Sequence, residues 1–237
     1  MFFSIVSSGT GFRIVINLLL TIPVILIALT FHETAHAVVA YKMGDERIKE
    51  NGSITLNPFK KIDVLGFLWM FFLGYGWAKV TQIDSRKFKN PSRGISLCAL
   101  AGPLANLLLG ILGAIGFALI SVLEADMISG GKDAMLILVQ ETKLFLYFFG
   151  IINFINATIN LIPIPPFDGS KFLSLFLPQK LYRNLIKHDK YTLIAVTFIS
   201  FLCFRFFKVS PAAFVAEKLF RLIVDPISSL FGSIPVL

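Results

Sequence analysis

At 237 residues the chain has room for one domain or two small ones. Of its residues 56% are hydrophobic and only 15% charged, and the mean hydropathy is +0.78. Soluble domains are nearer a quarter charged, so the composition excludes an ordinary soluble fold and indicates an integral membrane protein. The formal charge of +8 would suggest a nucleic-acid partner in a soluble chain. Here the collection of Lys and Arg in cytoplasmic loops beside membrane spans accounts for it, and no basic patch interleaved with aromatic residues argues for RNA or DNA.

A span needs about 20 mostly apolar residues. The first apolar stretch, Phe12–Met43, ends at Gly44, a helix stop. Its run from Ile14 to Leu29 lacks a small-residue cleavage pattern and reads as a span rather than a signal peptide. Asp45–Pro58 is polar, with Ile48, Ile54 and Leu56 alternating, which suits short strands. Val64–Val80 is apolar but interrupted by Gly66, Gly74 and Gly76, so a re-entrant or interfacial element is expected, with protein around it to satisfy its backbone. Gly94–Leu123, Met135–Ile162 and Tyr191–Phe207 are further spans. Ala212–Val224 carries Glu217, Lys218 and Arg221 and suits an interfacial amphipathic helix, with a final span as the alternative. The expected fold class is thus an all-α polytopic bundle of about four to six transmembrane helices, with a small β or re-entrant element after the first. Trp69, Tyr75 and Trp77 suit anchors at the membrane interface. Cys98 and Cys203 lie in apolar runs and suggest neither a disulfide framework nor a cysteine metal site.

Charge sets the orientation. Lys42–Arg93 holds ten Lys and Arg, Lys171–Lys190 holds five, and Glu124–Ala134 holds one with three acids. The positive-inside rule places the first two in the cytoplasm and the third outside, with the N-terminus outside as well. The ends of the first and third spans then lie on the same side.

One of those ends reads TFHETAHAVVA, from Thr30 to Ala40. His32 and His36, four residues apart, share a helix face. Two imidazoles so placed can hold one Zn²⁺, given a third ligand and an open position for water, and Glu33 beside them can take that water's proton. The alternative is a Glu33 pairing with His36 or a lysine to hold the bundle together. Ionisable groups within a bilayer are expensive, at least about 2.5 kcal/mol each on insertion scales, which favours metal chemistry.

Asp63, Asp84, Asp168 and His188 are the candidates for the third ligand. His188 lies in a basic loop and reads as solvated. Asp168 lies in NLIPIPPFDG, from Asn160 to Gly169, where prolines break the helix and Gly169 permits a sharp turn. That discontinuous element can aim a carboxylate inward at the end of the third span, the side on which the charge count places His32 and His36. Read alone, Asp168 could equally sit in a polar turn leaving the membrane; paired with the histidines, the ligand reading is preferred.

These residues resemble the site-2 protease family of intramembrane zinc metalloproteases. HETAH matches the family's metal motif at His32, Glu33 and His36, and NLIPIPPFDG matches its second motif at Asn160, Pro163, Asp168 and Gly169. GYGWAKV followed by FKNPSRGISLCALAGPLANLLLG is similar to the region leading into the family's central span, with Gly102, Pro103 and Asn106 in the usual pattern. SITLNPFKKIDVLGF resembles its membrane-associated segment. The likeness covers roughly Leu18–Lys171, with Val80 where a proline is common and Ser170 where a second glycine is frequent. It implies a minimal form without PDZ or CBS domains: one domain over 1–237, with a catalytic core at 12–175 and C-terminal helices at 190–231.

The resemblance implies that His32, His36 and Asp168 bind one zinc per chain, that Glu33 is the general base, and that Asn160 bonds the substrate backbone. Gly102, Pro103 and Asn106 carry a structural reading, small residues for close helix approach and Asn106 as a cap or bond to the broken helix. Substrates would be transmembrane helices of other proteins, unwound and added as a strand to an edge, for which Ile48–Leu56 and Val64–Val80 are the candidates. The setting is a multi-pass cell-membrane protein with its site toward the cytoplasm. Two other classes compete, a metal or ion transporter and an inactive binder of membrane helices. Clustering of the polar groups near one face counts against the first, and an intact Glu33 against the second.

Overall fold

The computed structural model describes residues 11–73, 76–129, 133–173, 175–178, 180–181, 184, 187–207 and 210–231. Tyr75 and the N-terminal ten residues lie outside the described residues. Among the described residues the fold is helical, with no strand. Helix α1 spans Phe12–Met43. Short helices α2 (Arg47–Glu50), α3 (Pro58–Lys61) and α4 (Val64–Leu73) follow. The long helices α5 (Pro91–Ser129) and α6 (Asp133–Asn160) come next, then α7 (Asp168–Leu173), α8 (Asp189–Phe207) and α9 (Pro211–Leu230).

Among the described residues three helices, α1, α5 and α6, are long and apolar enough to cross a membrane, which makes the chain a multi-pass membrane protein. A fourth span arises if α8 and α9, bent by 70°, act as one element. This is the lower end of the range the sequence suggests. Helix α1, at 32 residues, is about 48 Å long and exceeds the hydrocarbon core by several turns. It ends as expected at Gly44, whose φ of 121° suits glycine and whose N–H closes on Tyr41 O.

Close approach of α5 and α6 forms the centre. A methyl group at Gly113 would meet the backbone of Gly150 at 2.7 Å, and one at Gly110 would meet the Phe154 ring at 2.6 Å. Small residues let the two backbones nearly touch, which is how helices associate in lipid. Phe154 and Phe220 fill the space beside them. Helix α9 buries Ala216, Phe220 and Val224, four residues apart, against α5 and α6. Its apolar stripe is thus covered by protein, and the Glu217–Arg221 pair bonds Tyr147 on α6. On α8 Phe198, Phe201, Phe206 and Phe207 are exposed, as lipid-facing residues would be.

Two sequence readings need correction. Asp45–Pro58 forms no strands: Ile48 is buried within α2, and Thr34 Oγ1 ties the following loop to α1 through Thr55 O at 2.7 Å. Val64–Leu73 is an intact ten-residue helix, half a span. Gly66 does not break it, and by Gly76 the chain is no longer helical. The two glycines let residues 76–78 fold back against it, since a Cβ at Gly66 would collide with Trp77 and one at Gly76 with Met70. The chain then runs from 76 to 84 outside helix and strand, with Asp84 in an extended conformation.

That run is pinned at residues 79, 81 and 84. Lys79 N–H donates to Lys61 O at 2.8 Å and Asp84 N–H to the fully buried Asp45 Oδ2 at 2.8 Å. Asp45 also accepts two bonds of 2.9 Å from Arg47. Burial would raise the Asp45 carboxyl, but Arg47 and the Asp84 N–H outweigh it and hold it below its usual range. Arg86, bonded to Asp84, holds that carboxyl at about 2. With folded pKa values depressed, both groups stabilise the knot above their ordinary value of 3.8 and lose that contribution as the pH falls through the depressed values, about 2 for Asp84. Amide exchange at 79–84, corrected for intrinsic rates, should therefore be flat between about pH 5 and 8. Asp45→Ala strips two hydrogen-bonding partners of their acceptor, at about 2 kcal/mol. It should accelerate exchange at those amides selectively.

Candidate metal centre

Helix geometry puts His32 and His36 on one face of α1, with Nε2 atoms 3.1 Å apart and the ring planes nearly perpendicular. Asp168 Oδ2, at the start of α7, lies 3.0 Å from each Nε2. Among the described residues this is the one cluster of three His, Cys, Asp or Glu groups able to hold a metal. All three side chains are buried. The other Asp168 oxygen, Oδ1, accepts from Lys171 Nζ at 2.8 Å, so Asp168 presents a single oxygen to the histidines.

Hydrogen bonds fix which imidazole nitrogen points inward. His32 Nδ1 lies 2.6 Å from Asn106 Oδ1, and His36 Nδ1 lies 2.6 Å from Cys98 O. A carbonyl oxygen can only accept. Asn106 Oδ1 is identified as the oxygen because Asn106 Nδ2 donates to Ala28 O at 3.0 Å and Asn153 Oδ1 at 2.8 Å. Both histidines therefore donate from Nδ1 and turn a bare Nε2 lone pair inward. Two lone pairs and a carboxylate oxygen facing one point repel one another unless a cation lies among them. The nitrogen and oxygen donors, and carbonyl partners on the outer ring nitrogens, suit Zn²⁺. Gly102 of α5 completes the cradle: a Cβ there would stand 2.5 Å from His36 Nε2 and 2.6 Å from His32 Nε2.

Glu33, next in sequence, is buried beside this point. Its Oε2 accepts from Thr81 N–H at 2.9 Å and Thr81 Oγ1 at 3.0 Å. On the third side α6 presents asparagines at 153, 156 and 160. Asn156 Nδ2 donates to Asn106 Oδ1 at 2.9 Å, and Asn160 Nδ2 donates to Asn156 O and Oδ1. The chain then turns through Pro163, Pro165 and Pro166 into α7. Gly169 serves this turn through space rather than through a left-handed backbone, since a Cβ there would strike the Leu161 and Ile162 carbonyls. A cleft of about 430 Å³ opens on the cluster, with Glu33, Asn160, Trp77, Ala78, Val80 and Thr81 in its wall.

His32, Glu33, His36, Asn160 and Asp168, singled out from sequence, all border this cleft. Asp63 instead caps α4 through Gly66 N–H, Asp84 belongs to the Asp45–Arg47 knot, and His188 is exposed and bonded to Asn184 O. Trp69 is exposed, and Trp77 borders the cleft. Asn106 bonds the broken helix α6, one of its two sequence readings, and also orients His32. Its partners Asn153 and Asn156, and Thr81, were missed. Asparagines inside apolar helices were a legible signal, because an amide in lipid demands a partner.

Two imidazoles, a carboxylate oxygen and an adjacent glutamate, enclosed by apolar helices, are the equipment of a membrane-embedded metal-dependent hydrolase. Comparison with known proteins bears on the same class. The profile of Peptidase family M50 matches residues 127–204. The Bacillus subtilis (strain 168) protein YwhC, named as a candidate zinc metalloprotease, is 32% identical over 173 residues, 72% of this chain and 74% of that protein. Rip2 of Mycolicibacterium smegmatis (strain ATCC 700084 / mc(2)155), named likewise, is 30% identical over 165 residues, 68% of this chain and 58% of Rip2. No solved structure matches the chain. The chain belongs to peptidase family M50 and is a zinc-dependent membrane metalloprotease.

Proposed function

We propose that the protein is an intramembrane endopeptidase cutting transmembrane segments of other proteins, with zinc held by His32, His36 and Asp168 and with Glu33 as general base. The observation that carries this reading is the convergence of His32 Nε2, His36 Nε2 and Asp168 Oδ2 within about 3 Å, with both Nδ1 atoms turned outward. Zinc at such a set acidifies water and polarises a carbonyl. Glu33 receives the proton of the attacking water and returns it to the leaving amine. Thr81 holds one of its oxygens, leaving Oε1 for that exchange. Asn160 lies in the wall of the cleft, which supports a role in bonding the substrate backbone.

A transmembrane helix hides its peptide bonds behind its own hydrogen bonds, so the substrate must unwind and find backbone partners. The run 76–84 takes the role that the sequence assigned partly to Ile48–Leu56. Its Lys79 and Thr81 N–H groups point inward at Lys61 and Glu33, so in an extended chain residues 78, 80 and 82 offer the opposite edge. The basic segment Lys42–Arg93 carries this run and supports a site near the cytoplasmic face.

The test is zinc content together with cleavage of a model transmembrane peptide in detergent. Wild type should hold one zinc per chain and cut; Asp168→Ala should lose both. Asn160→Ala should keep its zinc and raise KM about tenfold, the worth of one good hydrogen bond. Metal-replete wild type without zinc would sink the reading, and Asn160→Ala with wild-type rate and KM would remove Asn160 from it.

A further inference from the structure

Lys61 is a lysine buried at the protein end of α3, with 4% of its surface exposed. An ammonium is costly to bury unless it is paired. Its Nζ lies 3.3 Å from Thr81 Oγ1, and the same Thr81 hydroxyl lies 3.0 Å from Glu33 Oε2. Thr81 and Glu33 are themselves buried.

The donor inventory gives this chain a direction. A lysine ammonium has three donors and no acceptor, whereas a hydroxyl has one proton and two lone pairs. Thr81 Oγ1 therefore accepts from Lys61, and its single proton remains for Glu33. Two acceptors of Glu33 lie within its reach, the side-chain Oε2 at 3.0 Å and the backbone O at 3.4 Å; the carboxylate is nearer and charged. With the Thr81 N–H at 2.9 Å, Oε2 receives two donors from one residue. We infer that Thr81 and Lys61 are positioning residues for the hydrolysis: Lys61 sets the Thr81 hydroxyl, and Thr81 clamps Glu33 Oε2 so that Oε1 alone faces the reacting water.

A second feature supports the clamp. Thr81 stands on a segment whose backbone is fixed on both sides, at Lys79 by Lys61 O and at Asp84 by Asp45. The donors are thus preorganised rather than recruited when substrate arrives, which is the condition for positional control of a base. Lys61 contributes at both ends of this frame, its carbonyl holding residue 79 and its ammonium holding residue 81.

This inference rests on Glu33 being the base, so the experiment includes Glu33→Gln beside Thr81→Val, Thr81→Ser, Lys61→Met and the Thr81→Val/Lys61→Met double variant. Zinc content, kcat and KM on the model transmembrane peptide, and thermal melting are read for each. Thr81→Val keeps the N–H and the side-chain shape and removes only the hydroxyl. It should lower kcat about tenfold with KM and zinc content unchanged, and Thr81→Ser should restore most of that loss. Lys61→Met should lower kcat less. In the double variant, loss of Lys61 should add nothing further, because the lysine acts through a hydroxyl already gone. Should Thr81→Val fail to fold, Lys61→Met and Thr81→Ser carry the comparison, with a kcat loss at unchanged KM and zinc expected for the former and near wild-type kcat for the latter. Wild-type kcat in Thr81→Val, or a loss that tracks zinc or KM, overturns the clamp. Additive losses in the double variant overturn the Lys61 link. Undiminished cleavage by Glu33→Gln overturns instead the reading on which the inference rests.

Discussion

Glu33→Gln should lower kcat by about a thousandfold, within the range a positioned general base supplies, while zinc content stays at the wild-type value. Glutamine has nearly the shape of glutamate, and its amide oxygen can still accept the Thr81 N–H and hydroxyl that now bond Glu33 Oε2. The side chain therefore stays where it is. What it loses is the ability to take a proton. Neither His32 nor His36 depends on Glu33 for orientation, since their outer nitrogens bond Asn106 Oδ1 and Cys98 O. Metal retention with loss of turnover is thus the expected pair of results, with KM changed less than kcat because the substrate backbone would be held by Asn160 and the run 76–84. The measurement is single-turnover cleavage of the model peptide, with zinc determined on the same preparation. Loss of metal along with activity would instead assign Glu33 to the ligand set, and wild-type turnover would remove it from the chemistry.

The sequence exposed the parts of this molecule that obey simple periods. The apolar run Phe12–Met43 and its stop at Gly44 are helix α1 as read, and four-residue spacing brought His32 and His36 together. Asp168 could be paired with them at a distance of 132 residues because charge asymmetry fixed which span ends share a side. The failures share a cause. Alternating Ile48, Ile54 and Leu56 imitate a strand, yet only Ile48 is buried, and hydrogen bonds to α1 decide the path of that loop. Gly66 and Gly76 read as breaks, although their small size serves the packing of residues 76–78 on α4. Asn106 does bond the broken helix, through Asn153 and Asn156, as one of its two readings had it; nothing local tells that its oxygen also meets His32, 74 positions away. Thr81 gives no local signal at all, since its importance lies wholly in a contact across 48 residues. Local pattern predicts local structure; a partner chosen by tertiary packing is invisible until the helices are placed.

Gly102→Ala is the smallest substitution expected to empty the metal site. Alanine is the better helix residue by about 1 kcal/mol, so on local grounds α5 should gain stability. The site reverses that expectation. The added methyl would stand 2.5 Å from His36 Nε2 and 2.6 Å from His32 Nε2 and Cε1, closer than carbon and nitrogen can approach. Neither ring can turn away cheaply. His32 is tied to Asn106, which is itself bonded to Ala28, Asn153 and Asn156, and His36 is tied to the Cys98 carbonyl of α5 itself. Relief must come from a shift of α5 relative to α1, or from breaking one of these bonds, and either moves the Nε2 atoms off their common point. Disturbing such supporting contacts typically costs 10- to 100-fold in metal affinity; a group intruding among the ligand atoms themselves should lie at the upper end, about 100-fold. Zinc titration against a competing chelator reads this directly. Thermal melting separates it from misfolding, because a folded Gly102→Ala protein should melt near chelator-treated wild type and should gain little on adding zinc, whereas wild type gains by mass action. A Gly102→Ala protein that binds zinc as wild type does would mean that α1 and α5 part easily, and that the cradle is not what holds the histidines to a single point.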